Sequence, residues 1–286
     1  MNLTVENITK TYHQMNVLNR INLTFAGHHI YGLLGRNGAG KSTLLNIINN
    51  RVFPTKGTVY LDKQLITENE QALDQVFLMS EDDLFPDNMI VQDAFHLAQS
   101  FYGGFDTALA NKMVAGFELN VKQKFRKLST GYRSIAKLII ALCVPVQFVF
   151  LDEPTLGLDA TNRDLFYQTV IESFAERPRT FVLSTHLIAE IANLIDRVII
   201  IDHGKIIENT TTDKIKASGA TVSGPKDAVL DFTRDMDVIG RDQLGGLLNV
   251  YVRDYRANNH PANVSVTALN LQTYFVKLTQ KGGSNS

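Results

Sequence analysis

Polar and apolar residues alternate in Asn2-Leu3-Thr4-Val5 and again in Val17-Leu18-Asn19-Arg20-Ile21-Asn22-Leu23-Thr24-Phe25, the period-two pattern of strands with one buried face. The spacing predicts an antiparallel β region at the start of the chain. Residues 28–34, His28-His29-Ile30-Tyr31-Gly32-Leu33-Leu34, read as a short apolar strand, and Leu44-Leu45-Asn46-Ile47-Ile48 as a helix soon after it. Two more strand candidates follow, at residues 57–61 and 75–79. From about Val91 to Val144 the period lengthens: Ala94, Phe95, Leu97, Ala98 and Phe101 lie close to i, i+3, i+4 spacing, with a further helix near Thr107 to Phe117. Strand and helix then alternate again, through Phe148–Leu151, a helix through Phe166 and Ile171, Thr180–Leu183, a helix over Leu187 to Ile195, and Arg197–Ile201. This rhythm predicts an α/β fold with a mainly parallel sheet covered on both faces, interrupted by a helical insertion.

Past about Ser218 the pattern weakens. The loop-like Ser218-Gly219-Ala220-Thr221-Val222-Ser223-Gly224-Pro225 leads into polar sequence, read as a small C-terminal α+β appendage over 219–286 or a frayed continuation of the main domain. The last residues, Lys281-Gly282-Gly283-Ser284-Asn285-Ser286, read as disordered.

Composition narrows the class. The 286 residues are 44% hydrophobic, enough for a sizeable core. Lys and Arg number 28 against 29 Asp and Glu, a net charge of -1, so no whole-chain field favours nucleic acid, and no nucleic-acid partner is expected. The most apolar stretch, Leu138 to Leu151, is interrupted by Pro145 and Gln147, whereas a membrane-spanning helix needs roughly 20 apolar residues. The N-terminus Met1-Asn2-Leu3-Thr4-Val5-Glu6 lacks the basic and apolar regions of a signal peptide, and the single Cys143 excludes an internal disulfide. Both point to the cytoplasm, with Cys143 a packing residue in an apolar run.

Between the predicted strand and helix stands Gly35-Arg36-Asn37-Gly38-Ala39-Gly40-Lys41-Ser42-Thr43, which fills every fixed position of G-x-x-x-x-G-K-[ST]. Glycines let successive backbone N–H groups turn inward around phosphates, and the following helix offers its positive end to the same anion. Lys41 is placed to neutralise the β/γ-phosphates and the Ser42 hydroxyl to ligate Mg²⁺. A nucleoside triphosphate with Mg²⁺ is therefore the expected ligand, although this loop alone fits GTPases, kinases, helicases and transport ATPases equally.

Other segments choose among these. Val146-Gln147-Phe148-Val149-Phe150-Leu151-Asp152-Glu153 is an apolar strand ending in two carboxylates, the form of a Walker B element. Asp152 would hold Mg²⁺ with Ser42, and Glu153 would polarise the attacking water. Before this strand, Lys127-Leu128-Ser129-Thr130-Gly131-Tyr132-Arg133 opens a helical run that Ser129 can cap, leaving a glycine and a positive helix end outward.

In that position the residues resemble the L-S-G-G-Q signature of ABC transporter ATPases. Other family motifs occur in order: Tyr12 in Thr9-Lys10-Thr11-Tyr12 is similar to the aromatic that stacks on adenine, Asp159 after Pro154-Thr155-Leu156-Gly157-Leu158 to the D-loop, and His186 after Ser184-Thr185 to the switch histidine. The resemblance covers about residues 1 to 215. It implies a P-loop ATPase domain over 1–218 with a helical subdomain at about 85–145, and a head-to-tail dimer with a second ATPase subunit, identical or not. Each ATP would lie between the phosphate loop of one subunit and Ser129 and Gly131 of the other. It further implies that His186 contacts the γ-phosphate, that Asp159 links the two sites, and that a separate transmembrane permease is the partner.

Two departures stand out. The signature reads L-S-T-G-Y, with Thr130 and Tyr132 in place of glycine and glutamine. The usual Q-loop glutamine is missing from Ser80-Glu81-Asp82-Asp83-Leu84-Phe85-Pro86. Counting from the strand puts Glu81 in that slot, the preferred alignment; counting back from Leu84-Phe85-Pro86 puts Ser80 there. A carboxylate at Glu81 can still ligate Mg²⁺ or water, yet it adds repulsion near a γ-phosphate; the alternative is a solvated acidic loop. The resulting expectation is an ATP-hydrolysing subunit on the cytoplasmic side of the cell membrane, with the permease docking on the helical insertion and the loop from Glu81 to Asp87. The signature form and short appendage resemble bacterial exporters of antimicrobial or other amphipathic peptides. The alternative is a soluble ABC ATPase acting on ribosome or nucleic acid, although neither a charged linker between two cassettes nor a long coiled coil is present.

Overall fold

The alternation at the N-terminus closes into an antiparallel sheet of β1 (Asn2–Tyr12), β2 (Met15–Ala26), β4 (Lys56–Leu61) and β5 (Gln64–Leu65), in the order β2-β1-β4-β5. The register sets Leu3 opposite Phe25 and Val5 opposite Leu23, all four buried. The computed structural model from which these elements are taken describes the chain except for Glu68, Asp83, Leu84, Asp87, Ala257, Asn258 and residues 282–286. The tail read as disordered lies outside the described residues from Gly282 onward, as do Asp83 and Leu84 of the acidic loop and Asp87.

Between β2 and β4 the chain makes β3 (Ile30–Leu34) and α1 (Lys41–Ile48); after β5 come the short α2 (Glu70–Leu73) and β6 (Val76–Met79). The helical insertion consists of α3 (Val91–Tyr102), α4 (Thr107–Gly116) and α5 (Thr130–Cys143), followed by β7 (Phe148–Asp152), α6 (Ala160–Glu176), β8 (Thr180–Thr185), α7 (Ile188–Ile191), β9 (Arg197–Asp202) and β10 (Lys205–Thr211). Six of these strands form one sheet in the order β10-β9-β3-β8-β7-β6, parallel throughout except for β10. Cover on both faces explains their continuous apolar runs. In β7, Val149 and Leu151 join the core made with α5 and α6, while Phe148 and Phe150 join the core made with α1 and the antiparallel sheet. The helix expected over 187–195 is shorter, a single turn at Ile188–Ile191 followed by turns, and Lys205–Thr211 is a strand the sequence pattern left unread.

Helix α5 is buried from Ser134 to Cys143 and ends without a capping side chain of its own. Arg179, 1% exposed, completes that end: Nη1 donates to the Val144 carbonyl at 2.7 Å and Nη2 to Leu142 at 2.5 Å, with the guanidinium 5.0 Å from the Phe181 ring centroid. Burial lowers the Arg179 pKa to about 9, so it stays charged at neutral pH, where it also suits the negative end of the helix. Arg179→Leu is expected to destabilise the fold by about 2–3 kcal/mol, because buried carbonyls lose their charged donor. Chemical denaturation checks this, and an unchanged midpoint would remove the capping role.

The last stretch is more regular than its polar sequence suggests. After α8 (Thr212–Ser218) come β11 (Ala220–Pro225), α9 (Lys226–Phe232), β12 (Asp237–Leu244), β13 (Leu247–Arg253), β14 (Ser265–Ala268) and α10 (Leu271–Lys281). The strands pair antiparallel in the order β12-β13-β11-β14. Val222, Val229, Val250 and Val252 form a core of their own with α9. From the other side, Ile239, Tyr251, Tyr274 and Phe275 join the core that contains Ile188, Ile191 and Ile215, and the Tyr274 hydroxyl donates to Glu208 at 2.5 Å. The α10 contact with α7 and α8 is long-range, which the local pattern does not carry.

Candidate functional site

Strand order assembles the site. With β3, β8, β7 and β6 side by side, their C-terminal ends bring together the loops starting at Gly35, His186, Glu153 and Ser80, the edge at which open parallel sheets bind ligands. Gly40 is the N-cap of α1 with φ +108°, a left-handed conformation that favours glycine, and a Cβ there would lie 2.7 Å from Leu18 Cδ2. No side chain caps α1, so its first N–H groups are open to an anion. The loop is anchored through Gly204 N–H to the Ala39 carbonyl at 3.1 Å. Asn37, Gly38 and Ser42 are exposed, Thr43 is half-buried, and Ala39 is buried. Lys41 is 7% exposed; its Nζ donates to the Gly35 carbonyl at 2.9 Å and stands 3.9 Å from Glu153 Oε1.

The carboxylate pair is held by the neighbouring strand. Register in β7 and β8 sets Asp152 opposite Ser184, whose hydroxyl donates to Asp152 Oδ1 at 2.7 Å. Glu153 donates its N–H to the Ser184 carbonyl at 2.8 Å and has φ +44°, a conformation that costs a non-glycine residue about 1–3 kcal/mol and persists only when surroundings impose it. Its carboxylate accepts the Thr185 hydroxyl at 3.1 Å and meets His186 Nδ1 at 3.0 Å. Thr185 Oγ1 also accepts Leu187 N–H at 3.1 Å, which directs its proton to Glu153. A bond from His186 to a carboxylate requires the proton on Nδ1, leaving Nε2 as acceptor of the neutral ring. Ser184 and Thr185 carry no role in the sequence reading, since only strand register brings them to the carboxylates.

Ser80 and Glu81 are separated by their surroundings. Ser80 is 7% exposed, and its hydroxyl accepts from Arg51 Nη1 at 3.1 Å. Glu81 is raised above the usual carboxylate range by burial first, then by Asp152, Glu153 and Asp82, with Lys41 acting the other way. Its side chain thus lies in the field of the Asp152–Glu153 pair. Glu81, Asp152, Glu153, Thr130, Ser134 and Lys137 line a cavity of about 180 Å³. Among the described residues no three His, Cys, Asp or Glu side chains form a self-contained metal cage. The oxygen donors at hand, the Asp152 carboxylate, the Ser42 hydroxyl and Glu81, suit Mg²⁺ held in part by phosphate.

Other candidates sit apart. Ser129 caps α5, accepting Tyr132 N–H at 3.3 Å. Gly131 packs on the turn after β7, where a Cβ would lie 2.5 Å from the Gly157 carbonyl oxygen, and Ser134 Oγ donates to the Leu156 carbonyl at 3.0 Å. Asp159 caps α6, accepting Asn162 N–H at 2.8 Å. Tyr12 is half-exposed at the end of β1, with Lys10 Nζ 4.7 Å from its ring centroid. Among the described residues no hydrogen bond joins Ser129, Gly131, Asp159 or Tyr12 to Lys41, Asp152, Glu153 or His186.

A glycine-lined loop on an uncapped helix, beside a strand-end carboxylate pair in a parallel sheet, defines a P-loop nucleotide-binding protein. Residues 18–156 match the ABC transporter family. The chain is 32% identical to the energy-coupling factor transporter ATP-binding protein EcfA2 of Lactiplantibacillus plantarum, over 75% of its own length and 79% of that protein. It is 27% identical to the bacitracin transport ATP-binding protein BcrA of Enterococcus faecalis, over 97% of its own length and 96% of that protein. A solved dimeric cassette of a bacterial ABC transporter has the same fold, with TM-score 0.66 at 23% identity over 73% of this chain and 98% of that one. The chain belongs to the ABC transporter ATP-binding proteins. Among the described residues no helix is long and apolar enough to cross a membrane.

Proposed function

We propose that this chain binds and hydrolyses ATP with Mg²⁺ to power export through a separate transmembrane permease. The observation that carries the reading is the convergence of Lys41, Thr185 and His186 on the Glu153 carboxylate beside the phosphate loop. The N–H groups of residues 38–43 and Lys41 bind the triphosphate, Lys41 exchanging its bond to the Gly35 carbonyl for phosphate oxygens. Asp152, oriented by Ser184, and Ser42 hold Mg²⁺, which when bound neutralises charge on the β- and γ-phosphates. Glu81 is a further candidate ligand for the ion or its water. Glu153 takes a proton from the attacking water; Thr185 and the left-handed backbone aim it, and His186 braces it while holding the water.

The remaining residues serve a dimer. Tyr12 is the adenine platform, Ser129 and Gly131 meet the nucleotide of a second ATPase subunit, and Asp159 stands at the subunit boundary. The solved cassette is described as dimeric, which supports this arrangement. We take residues 1–218 as the ATPase domain, about 85–145 as its helical subdomain, and 219–286 as the appendage. The permease docks on the helical subdomain and the loop from Glu81 to Asp87, keeping the chain at the cytoplasmic face. The bacitracin transport named for BcrA supports a transport role.

Purification of the full chain from native membranes in mild detergent tests the reading. A co-purifying multispanning protein and Mg²⁺-dependent ATP turnover are expected. Recovery with ribosomes or DNA instead would overturn the transport role, and ATP binding without turnover would overturn the hydrolytic one.

A further inference from the structure

The proposed mechanism leaves Lys137 unused. This residue of α5 is 8% exposed, and its ammonium donates to the main-chain carbonyls of Ser80 at 3.1 Å and Glu81 at 2.9 Å, with Asp82 at 3.5 Å. An ammonium taken out of water is costly unless it is bonded, so a residue here only to fill space would be apolar. These partners are the backbone of one short segment, residues 80–82. That segment is gripped from a second side as well, by Arg51, which donates to Ser80 Oγ at 3.1 Å and to the Leu78 carbonyl at 2.7 Å. The Glu81 carboxylate meets opposing fields there, with Asp152, Glu153 and Asp82 as like charges and Lys41 as an opposite one, so its place is set by the backbone that carries it as well as by its charge. About two turns before Lys137, α5 begins with Ser129 as its cap and Gly131 in its first turn.

We propose that Lys137 is a positioning residue that anchors the Glu81 main chain to α5, so that the Glu81 carboxylate and the helix end bearing Ser129 and Gly131 move as one body. The catalytic consequence rests on the ATPase reading of the site; the anchoring does not. A displacement of the helical segment would then carry Glu81 toward or away from Asp152 and Glu153, with a buried cation in the middle of α5 as the link.

The test compares full-length wild type, Lys137→Met and Lys137→Arg, each with Glu81 intact and with Glu81→Gln. Amide hydrogen exchange of residues 76–82 is read without nucleotide, and kcat and KM for ATP in steady state. Lys137→Met is expected to speed exchange in that segment by about tenfold, the mark of a local opening, with strands β3, β7 and β8 unchanged. Its kcat should fall about 10- to 100-fold, the scale of a catalytic group misplaced by ~1 Å, while KM moves less than about threefold. Lys137→Arg should recover most of the loss. In the Glu81→Gln background the same substitution should cost clearly less, since the two residues act through one another. Unchanged exchange in Lys137→Met, or an equal kcat loss in both backgrounds, would overturn the proposal. Wild-type protein without ATP turnover would instead defeat the ATPase reading, and the exchange result would still decide the anchor. If Lys137→Met fails to fold, Lys137→Gln, which keeps an N–H donor and removes the charge, is read by the same outcomes.

Discussion

Glu153→Gln is expected to lower kcat for ATP by about 10²–10⁴-fold, the usual worth of a positioned general base. Glutamine has the size and shape of glutamate, so the left-handed backbone at φ +44° and the N–H bond to the Ser184 carbonyl are kept. Its carbonyl oxygen can still accept the Thr185 hydroxyl, which lies 3.1 Å from Oε2. What disappears is proton affinity, together with the charge that His186 Nδ1 meets at 3.0 Å and Lys41 at 3.9 Å. ATP binding should therefore survive, and with turnover blocked the ATP-bound dimer should accumulate. Phosphate release and size-exclusion chromatography in MgATP read the two effects. Turnover within about threefold of wild type would remove the general-base assignment, since such a group contributes at least ~10²-fold.

Gly131→Ala carries the second large effect. The new methyl would lie 2.5 Å from the Gly157 carbonyl oxygen, a backbone atom that no side-chain rotation can move. Gly157, at φ +79°, faces Thr130 and the Gly131 N–H across the same contact, so the two backbones meet there directly. Either the start of α5 or the turn after β7 must shift, at a cost of about 1–3 kcal/mol. Since that turn continues from Glu153, kcat should fall by about tenfold or more, as catalytic groups tolerate little misplacement. Tyr132→Gln is the control, as Tyr132 is exposed and Gln suits the helix, so its Tm should stay close to wild type. A Gly131→Ala protein with wild-type Tm would sink the packing argument. Gly131 would then matter only through the second subunit. The contact has a wider consequence, because a glycine that reads as a ligand-facing residue in the sequence also has an intrachain reason to be glycine.

Part of the site is legible in the sequence. The strand Ile30–Leu34, the loop from Gly35 and the helix from Lys41 are contiguous, so residue type and spacing alone specify a phosphate cradle. The pair Asp152–Glu153 is legible for a similar reason, since a buried apolar strand that ends in two carboxylates leaves them at its exit. The helical insertion is legible because its period changes to that of a helix over a long stretch. The C-terminal strands are not, as their buried residues divide between a core of their own with α9 and a second one completed by Ile188, Ile191 and Ile215, which no local period records.

By itself, then, the sequence determined the features set by local rules: an α/β chain with a phosphate loop, a strand-end carboxylate pair and an inserted run of helices. Only the tertiary structure decided which groups hold those carboxylates. The order β3-β8-β7-β6 is not the order of the chain, and a parallel register one residue different would turn Ser184 away from Asp152. The same is true of Arg179 at the end of α5 and of Lys137 on the backbone of residues 80–82, which join parts of the chain separated by dozens of residues. Such contacts are selected by whole-molecule packing, where a buried charge must find its partners wherever the fold places them.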